Sequence, residues 1–453
     1  MKLVFQPHEK PKFGANLVFA IQQLLAIMAA TLVVPVIIGN GMSPAAALFG
    51  AGVGTLVYLL FTKFRSPVFL GSSFAFLGSM AAAFAGAVST AAGYVGLILG
   101  AACAGLVYVV IAVIVKFAGV NWINKLMPPV VIGPTVAIIG LSLAGNAVGD
   151  LQKGGVLNAD GASVADVKIT ILVGLVTLFV TILCSTFGKK MAKMIPFIIG
   201  ILAGYAVGAV FTVIGNAAGI EALQVIDFSK ITALWADGVT INTFVQFPEF
   251  TFLTAMKGVA DLDAAYIGTI AVAYTPVAFV VFAEHIADHK NISSIIEKDL
   301  LEDPGLSRTL LGDGVGSAVG AVFGGCPNTT YGESVACVAI SGNASVSTIF
   351  LTSILAILIS FLSPFVAFVN SIPSCVMGGV CVALYGFIAV SGLKMVQKVD
   401  LEENRNLFVV STILIAGIGG LSVSFGQVTI TSIACALILG ILVNLVLGKK
   451  KNK

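Results

Sequence analysis

Residues 324–342 read GGCPNTTYGESVACVAISG, and this stretch decides how the chain has to fold. It lies among apolar segments, yet Pro327 and the polar run 328–330 resist a regular membrane helix. Residues 66–80, SPVFLGSSFAFLGSM, have the same character, with a short β-prone run interrupted at Gly71. In each stretch we predict a short extended segment followed by a half-helix that begins in the middle of the membrane.

Such irregular backbone has a functional implication. Inside a membrane it is tolerated only where protein buries it or where it lines a cavity. The N-terminus of a half-helix presents free N–H groups and a partial positive charge to a ligand. The alternative interpretation is that both stretches are kinked helices with a packing role only.

The composition of the chain is that of a membrane protein. Of its 453 residues, 58% are hydrophobic and 10% are charged, whereas a soluble domain has about 25% charged residues. The mean hydropathy is +1.06. These values exclude a soluble enzyme and a disordered chain, and a net charge of +3 is too small for a nucleic-acid-binding surface. The seven cysteines are scattered singly, so we expect no disulfide framework.

Fourteen apolar segments are candidates for membrane spans, each near the length that a bilayer requires. They lie at residues 15–39, 44–61, 68–86, 91–115, 129–148, 168–187, 195–217, 263–288, 308–325, 327–342, 345–367, 373–393, 406–422 and 428–447.

The positive charges give these spans an orientation. With an even number of spans both termini lie on one side, and with the N-terminus inside, all but four of the 24 Lys and Arg residues are cytoplasmic. The four outside are Lys153, Lys168, Lys230 and Lys257. This asymmetry is what the positive-inside rule requires. We therefore expect both termini in the cytoplasm.

The longest loop, residues 218–262, divides the chain into seven spans plus seven. An odd number of spans per half places the second half in inverted orientation. The third span of each half is the interrupted one, and such a matched pair is the best sequence indication of a transporter binding site. The fold class we predict is an all-α polytopic membrane protein of two inverted seven-span repeats.

Four acidic residues fall inside predicted spans: Glu284, Asp288, Asp313 and Glu333. A charged side chain at the centre of a membrane helix costs about 2.5–3.5 kcal/mol on insertion scales, so such a residue indicates function by default. The alternative is a structural acid bonded to a neighbouring helix. Glu284 and Asp288 are four residues apart and share one helix face. Two carboxylates this close disfavour double ionisation, so the pair is suited to proton coupling.

Two histidines adjoin these acids, but we predict no metal site. His285 and His289 have the spacing of ligands, yet the order of residues is not that of a zinc protease and only His8 could add a third imidazole. We expect His289 to be a solvated residue at a helix end. No nucleotide-binding loop is present in the sequence, which disfavours an ATP-driven pump.

The motifs GSSFAF at 71–76, AEH at 283–285 and NTTYGE at 328–333 resemble the nucleobase–ascorbate transporter family, and within it the uracil-transporting branch. The resemblance covers nearly the whole chain. It implies a substrate-holding core domain, a gate domain and a homodimer. The core domain would comprise residues 1–116 and 263–367, the gate domain residues 117–217 and 368–447, the extracytoplasmic loop residues 218–262, and the cytoplasmic tail residues 448–453.

The resemblance also implies roles for individual residues. Glu284 and Glu333 match the carboxylates that bind the pyrimidine ring, and Phe74 and Gly332 match the positions that offer backbone N–H groups. The coupling of transport to protons by Glu284 and Asp288 is expected from their four-residue spacing and not from the resemblance. Tyr331 lies in the same motif.

The sequence departs from the family pattern at three positions. Ser334 stands where the uracil branch has Asn, and Asp288 and Gln23 stand where it has His. The xanthine and urate branch has Gln-Asn in place of Glu333-Ser334, so Glu333 favours a pyrimidine. Asp313 is a further candidate, from its position inside a span.

The function we predict is import of a nucleobase, most consistent with uracil, by proton symport across a bacterial inner membrane. The proton is the coupling ion, and we expect no cofactor, no metal and no enzymatic activity. Three alternatives remain: a xanthine- or urate-type purine symporter, an anion transporter of the same inverted architecture, and a channel or structural membrane protein. An anion carrier would need a cationic or neutral pocket, which Glu284 and Glu333 do not provide.

Overall fold

The structure is a computed structural model that describes residues 3–119, 122, 126–189, 191–236, 238–425 and 428–448. Helices dominate it. Those of the first half are α1 (Phe13–Ile38), α2 (Pro44–Phe61), α3 (Leu77–Ala85), α4 (Thr90–Ala118), α5 (Pro129–Ser142), α6 (Ala144–Leu151), α7 (Val167–Phe187), α8 (Met191–Met194) and α9 (Pro196–Ala218). Strand β1 (Leu70–Ser72) and the 3₁₀ turn Phe74–Phe76 precede α3.

The segment between the halves carries only short elements. They are α10 (Ser229–Thr232), α11 (Ile241–Phe244), α12 (Thr251–Ala255) and 3₁₀ turns at Glu221–Leu223, Ala233–Trp235 and Met256–Asp261. The helices of the second half are α13 (Ala264–Ile296), α14 (Leu306–Gly324), α15 (Gly332–Ser341), α16 (Val346–Ile359), α17 (Ser363–Ser371), α18 (Ser374–Val396), α19 (Asn404–Ile418) and α20 (Ser432–Gly448). A π turn at Leu301–Gly305 and strands β2 (Asn328–Thr330), β3 (Val423–Phe425) and β4 (Val428–Ile430) complete the described elements.

Within the described ranges, eight helices are long and apolar enough to cross a membrane: α1, α2, α4, α5 continued by α6, α7, α9, α13 and α18. Five more apolar helical segments are shorter. The chain is therefore a multi-pass helical membrane protein.

The helices pack in two groups. In the first group α14 packs against α2 and α4, α13 packs against α4, and α16 packs against α1 and α2. In the second group α18 packs against α5 and α7, α9 against α7, and α19 against α5 and α20.

Glycines allow the closest helix approaches. A Cβ atom on Gly54 of α2 would stand 2.6 Å from the carbonyl oxygen of Gly316 on α14. In the second group, a Cβ on Gly133 of α5 would stand 3.1 Å from the carbonyl oxygen of Gly392 on α18. Small residues at helix contacts are typical of membrane proteins, where close backbone packing replaces the hydrophobic driving force.

The two strands that precede α3 and α15 pair with each other. β1 and β2 are antiparallel, with Leu70 opposite Thr330 and Ser72 opposite Asn328. The ladder extends on both sides, because Ser73 N donates to Pro327 O at 2.9 Å and Tyr331 N donates to Phe69 O at 3.2 Å. This crossing places the starts of two short helices beside each other, inside the first helix group.

Several boundaries differ from the sequence prediction. Helix α13 continues to Ile296, eight residues beyond the predicted end, and its last turns bury Ile292 and Ile296 in the hydrophobic core. The predicted span 345–367 is broken, since residues 360–362 separate α16 from α17. A β3–β4 hairpin occupies residues where the last helix was predicted to begin, and α20 starts at Ser432.

Candidate functional site

Three half-buried acids face a cavity of about 330 Å³ between the two helix groups. The first group contributes the acidic part of its wall from α13 and α15. The second group contributes residues of α5, α7, α8, α9 and α18. The lining comprises Ala26, Val136, Ser185, Lys193, Met194, Pro196, Phe197, Glu284, Ala287, Asp288, Gly332, Glu333, Ala336, Cys337, Ile340, Phe387, Ile388, Ser391 and Met395.

Four of the predicted site residues meet in this cavity. Glu284 and Asp288 lie one turn apart on α13, and Gly332 and Glu333 form the first residues of α15. The first N–H groups of a helix have no intrahelical partners, and the residue preceding α15 provides no side-chain cap. The cavity therefore combines hydrogen-bond acceptors on three carboxylates with donors at a helix N-terminus.

Asp288 is fixed by the strand crossing. The Thr330 hydroxyl donates to its Oδ2 at 2.8 Å. A Cβ atom added to Gly332 would stand 3.9 Å from its Oδ1, an ordinary contact distance. Asp288 thus joins helix α13 to the β2–α15 segment at the edge of the cavity.

Gln23, Tyr331 and Ser334 lie behind the cavity wall and do not line it. Gln23 Nε2 donates to Ser334 Oγ at 2.5 Å, and that oxygen also accepts the N–H of Phe69 at 3.2 Å. The Tyr331 hydroxyl donates to the carbonyl oxygen of Ser72 at 2.9 Å. These buried bonds tie α1 and the strand crossing to the start of α15, so the three residues position the site from behind.

Phe74 is also outside the cavity lining. It begins the 3₁₀ turn before α3, and its side chain is buried. Its ring meets the ring of Tyr385 edge-on, with 5.8 Å between centroids. Because Tyr385 belongs to α18, this is an aromatic contact between the two helix groups.

Asp313 faces a buried histidine network and not the cavity. His285 Nδ1 and Asp313 Oδ2 are 2.6 Å apart, and His285 Nε2 lies 3.0 Å from the Thr309 hydroxyl. The expectation that His289 is solvated was wrong: it is fully buried, and its Nε2 lies 2.7 Å from the Tyr58 hydroxyl. Its burial follows from the continuation of α13 against α2. Sequence reasoning missed Tyr58, which lies in an otherwise apolar helix and forms no motif with His289.

Sequence reasoning also missed the second wall of the cavity. Lys193, Phe197, Phe387 and Ser391 are far from the acids in sequence and form no recognisable motif. In the sequence, Lys193 is only one of many positive charges on the predicted cytoplasmic side. Among the described residues, no group of three His, Cys, Asp or Glu side chains could hold a metal ion.

Comparisons with known proteins agree with the motifs. A model of the permease family matches residues 14–425. The uracil permease of Bacillus caldolyticus is 37% identical over 452 residues, which cover 98% of this chain and 95% of the relative. The uracil permease of Escherichia coli strain K12 is 35% identical over 441 residues, which cover 97% of this chain and 92% of the relative.

Two solved structures share the fold at low sequence identity. The transmembrane domain of a cyanobacterium bicarbonate transporter, BicA, has a TM-score of 0.63 at 14% identity and covers 98% of this chain and all of that chain. The murine solute carrier 26 family member A9 anion transporter, in the inward-facing state, has a TM-score of 0.64 at 11% identity and covers 97% of this chain and 69% of that chain. Similarity at this level shows the architecture alone.

The match to the family model and the full-length relatives confirm the resemblance that the motifs indicated. The chain thus belongs to the permease family, whose members are transporters and not enzymes.

Proposed function

We propose that the protein imports a nucleobase, most consistent with uracil, together with a proton by alternating access. The observation that carries this proposal is the convergence of Glu284, Asp288 and Glu333 with the start of α15 on one cavity. Uracil has two ring N–H donors, which suit carboxylate acceptors, and two carbonyl oxygens, which suit helix-end N–H donors. The names of the relatives, both uracil permeases, support the same substrate.

In this proposal the first helix group is the core domain and the second is the gate domain. The chain crosses the membrane fourteen times, and α3 and α15 are half-helices that start near the midplane. The β1–β2 pairing supports this arrangement, since paired strands satisfy backbone groups that lipid could not. The protein would lie in a bacterial inner membrane as a homodimer, with both termini in the cytoplasm.

The cavity would be open to the cytoplasm in this structure. Ser185, Lys193 and Met395, at its rim, belong to helix ends that the positive-inside rule places on the cytoplasmic side. Proton coupling would use Glu284 and Asp288, because they occupy one face of α13 and reach the same cavity. The proton would be the coupling ion, with no further cofactor.

A purine symporter is the nearest alternative, and the cavity volume does not separate the two substrate classes. An anion carrier shares the fold, as the bicarbonate transporter illustrates. Three carboxylates and one lysine give the cavity the wrong sign for an anion.

Uptake into proteoliposomes tests the proposal. We expect labelled uracil to accumulate when the lumen is alkaline relative to the medium, and much less without the gradient. Xanthine, adenine and sulfate serve as competing substrates in parallel. Gradient-independent uracil uptake would contradict symport, and preferential uptake of xanthine, adenine or sulfate would contradict the substrate.

A further inference from the structure

The two walls of the cavity differ in charge. The three carboxylates, Glu284, Asp288 and Glu333, are all on the first helix group, whereas the second group contributes one charged residue to the lining, Lys193. Lys193 is exposed and forms no ion pair or hydrogen bond with any residue that the structure describes. A cation that faces acids without pairing with them is free to pair when the walls approach.

Lys193 is carried by the helix that touches both walls. Helix α8 is a single turn between the long helices α7 and α9 of the second group. Its Met194 packs in a small hydrophobic cluster with Ala26 of α1 and Cys337 of α15. On the same helix, the sulfur of Met191 accepts a hydrogen bond from Gln22 Nε2 at 2.7 Å. Helix α8 is thus a point of contact between the groups at the rim of the cavity.

This contact indicates which of the three acids could pair with Lys193. Cys337 and Glu333 are four residues apart on α15, so they lie on the same face about one turn from each other. Met194 belongs to the same cluster as Cys337, and Lys193 is the residue before Met194, with a flexible four-carbon stem that ends in a compact charge. A small closing movement of α8 along α15 would bring its ammonium group to the Glu333 carboxylate.

We propose that Lys193 is the cation of an inner gate, which pairs with Glu333 when the two walls close over the empty cavity. The inference rests on the proposed alternating access. Substrate N–H groups and Lys193 would then compete for one carboxylate. Bound substrate would release the lysine and open the gate on the cytoplasmic side. In the empty carrier the ion pair would keep the cytoplasmic side closed while the protein returns to its outward-open state.

Cys337 offers a native reporter of this gate, because it lines the cavity and packs in the same cluster as Met194. The experiment compares the wild type with Lys193→Gln and Lys193→Arg, and uses Lys189→Gln as the matched control on the same cytoplasmic segment. Everted vesicles without uracil are treated with a membrane-impermeant maleimide. Mass spectrometry then gives the rate of modification of the peptide that contains Cys337.

We expect Lys193→Gln to raise this rate about threefold, a change typical of losing one exposed ion pair. High salt should raise the wild-type rate and have little effect on Lys193→Gln. Lys193→Arg and Lys189→Gln should label like the wild type. Uracil uptake by Lys193→Gln should be slower, with equilibrium binding within about twofold of the wild type.

Two results would overturn the gate. One is a Cys337 rate that is the same in Lys193→Gln and in the wild type. The other is loss of equilibrium uracil binding in Lys193→Gln, which would make Lys193 a substrate contact. Because the labelling is done without substrate, a wild type that fails to transport uracil would contradict the proposed function without changing the result for the gate.

Discussion

The Thr330 hydroxyl donates a 2.8 Å hydrogen bond to the carboxylate of Asp288. Thr330 ends strand β2, whose partner β1 comes from the other half of the chain, and Asp288 lies on α13 at the cavity. A change of charge on Asp288 therefore acts directly on the strand crossing that holds α15. The hydrogen bond thus links Asp288, proposed for proton coupling, to the segment that leads into α15, proposed for substrate binding.

Two substitutions separate the charge of Asp288 from this hydrogen bond. Asp288→Asn keeps an oxygen that can accept from Thr330 but removes the charge, whereas Thr330→Val keeps the charge and removes the donor. We expect Asp288→Asn to bind uracil measurably while losing most proton-driven accumulation. Thr330→Val should weaken binding several-fold and retain coupling. Binding by the purified proteins and uptake with and without a pH gradient measure the two effects.

The assignment for Asp288 would be wrong if Asp288→Asn accumulated uracil with the same dependence on pH as the wild type. In that case Asp288 would serve only to hold β2 to α13. Equal effects of both substitutions on coupling would assign the effect to the hydrogen bond and not to the charge.

Glu284 should be required for substrate binding itself. Glu284→Gln replaces a pure acceptor by an amide that also presents a donor to the substrate N–H, so one good hydrogen bond becomes a mismatch. Loss of a hydrogen bond to a charged group costs about 1.5–3 kcal/mol, which corresponds to weaker binding by roughly ten- to a hundredfold or more. Isothermal titration calorimetry with uracil measures this loss of affinity. Glu402→Gln, at an exposed site outside the cavity, is the control, and wild-type affinity in Glu284→Gln would refute the placement.

Gly332 should tolerate a methyl group but not a branched side chain. A Cβ atom there meets only Asp288 Oδ1, at 3.9 Å, so Gly332→Ala fits the fold. The extra methyl groups in Gly332→Val enter the cavity beside the N–H groups at the start of α15. We expect binding to fall modestly in the alanine variant and to be lost in the valine variant, with similar melting temperatures for both. Normal uptake by Gly332→Val would place the substrate elsewhere.

Asp303 lies on the predicted cytoplasmic surface, and its ion pairs should make the stability of the protein depend on pH. Hydrogen bonds from Lys298 and Arg65 hold the pKa of Asp303 below its ordinary value, with Lys298 Nζ at 2.7 Å and Arg65 Nη1 at 2.5 Å. A lowered pKa means that the contribution to stability is present at neutral pH and disappears as the pH falls through that pKa. The contribution is small, because all three side chains are exposed.

Asp303→Asn should therefore melt slightly below the wild type at pH 7, and the difference should shrink as the pH falls below about 4, the ordinary pKa of an aspartate. Melting temperatures in detergent across that range provide the measurement, with Glu302→Gln as the neighbouring control. If the difference in melting temperature stayed constant as the pH fell, the effect of the asparagine would not come from the lost charge.

The sequence predicted well the features that depend on local pattern. The NTTYGE motif and the interrupted segment near Gly71 fall on the β1–β2 crossing, and Glu284, Asp288 and Glu333 meet in one cavity. The acids could be singled out because a charge within an apolar run is costly and therefore rare. Membership in the permease family followed from the same motifs.

Features that depend on contacts distant in sequence were not predicted. The predicted span ends at residue 288, just before His289, whereas in the structure His289 is buried and lies beside the Tyr58 hydroxyl of α2. Nothing in the local sequence distinguishes Lys193 from the other inside lysines. Lys193 reaches the cavity wall because α8 connects α7 to α9 there. That position depends on how the helices pack and cannot be inferred from the local sequence.

Cysteine labelling tests the fourteen-span topology, provided that buried positions are avoided. Ser66 is buried and bonded to Tyr58, and Ser293 bonds to the His289 carbonyl, so cysteines there would react slowly for structural reasons alone. Exposed positions give a cleaner test. Val88 and Val239, which are 79% and 73% exposed, should be external, and Lys63 and Lys290 should be internal.

Single cysteines at these four positions should therefore divide into two classes. Those at Val88 and Val239 should react with an impermeant maleimide in intact cells, and those at Lys63 and Lys290 only after permeabilisation. Val88 is the most informative site, because it follows α3, and its exposure to the outside requires the interrupted third span to cross. If Val88 labelled with the internal class while Val239 stayed external, residues 66–86 would re-enter on the cytoplasmic side. The count of fourteen, and with it the inverted symmetry of the two halves, would then be wrong.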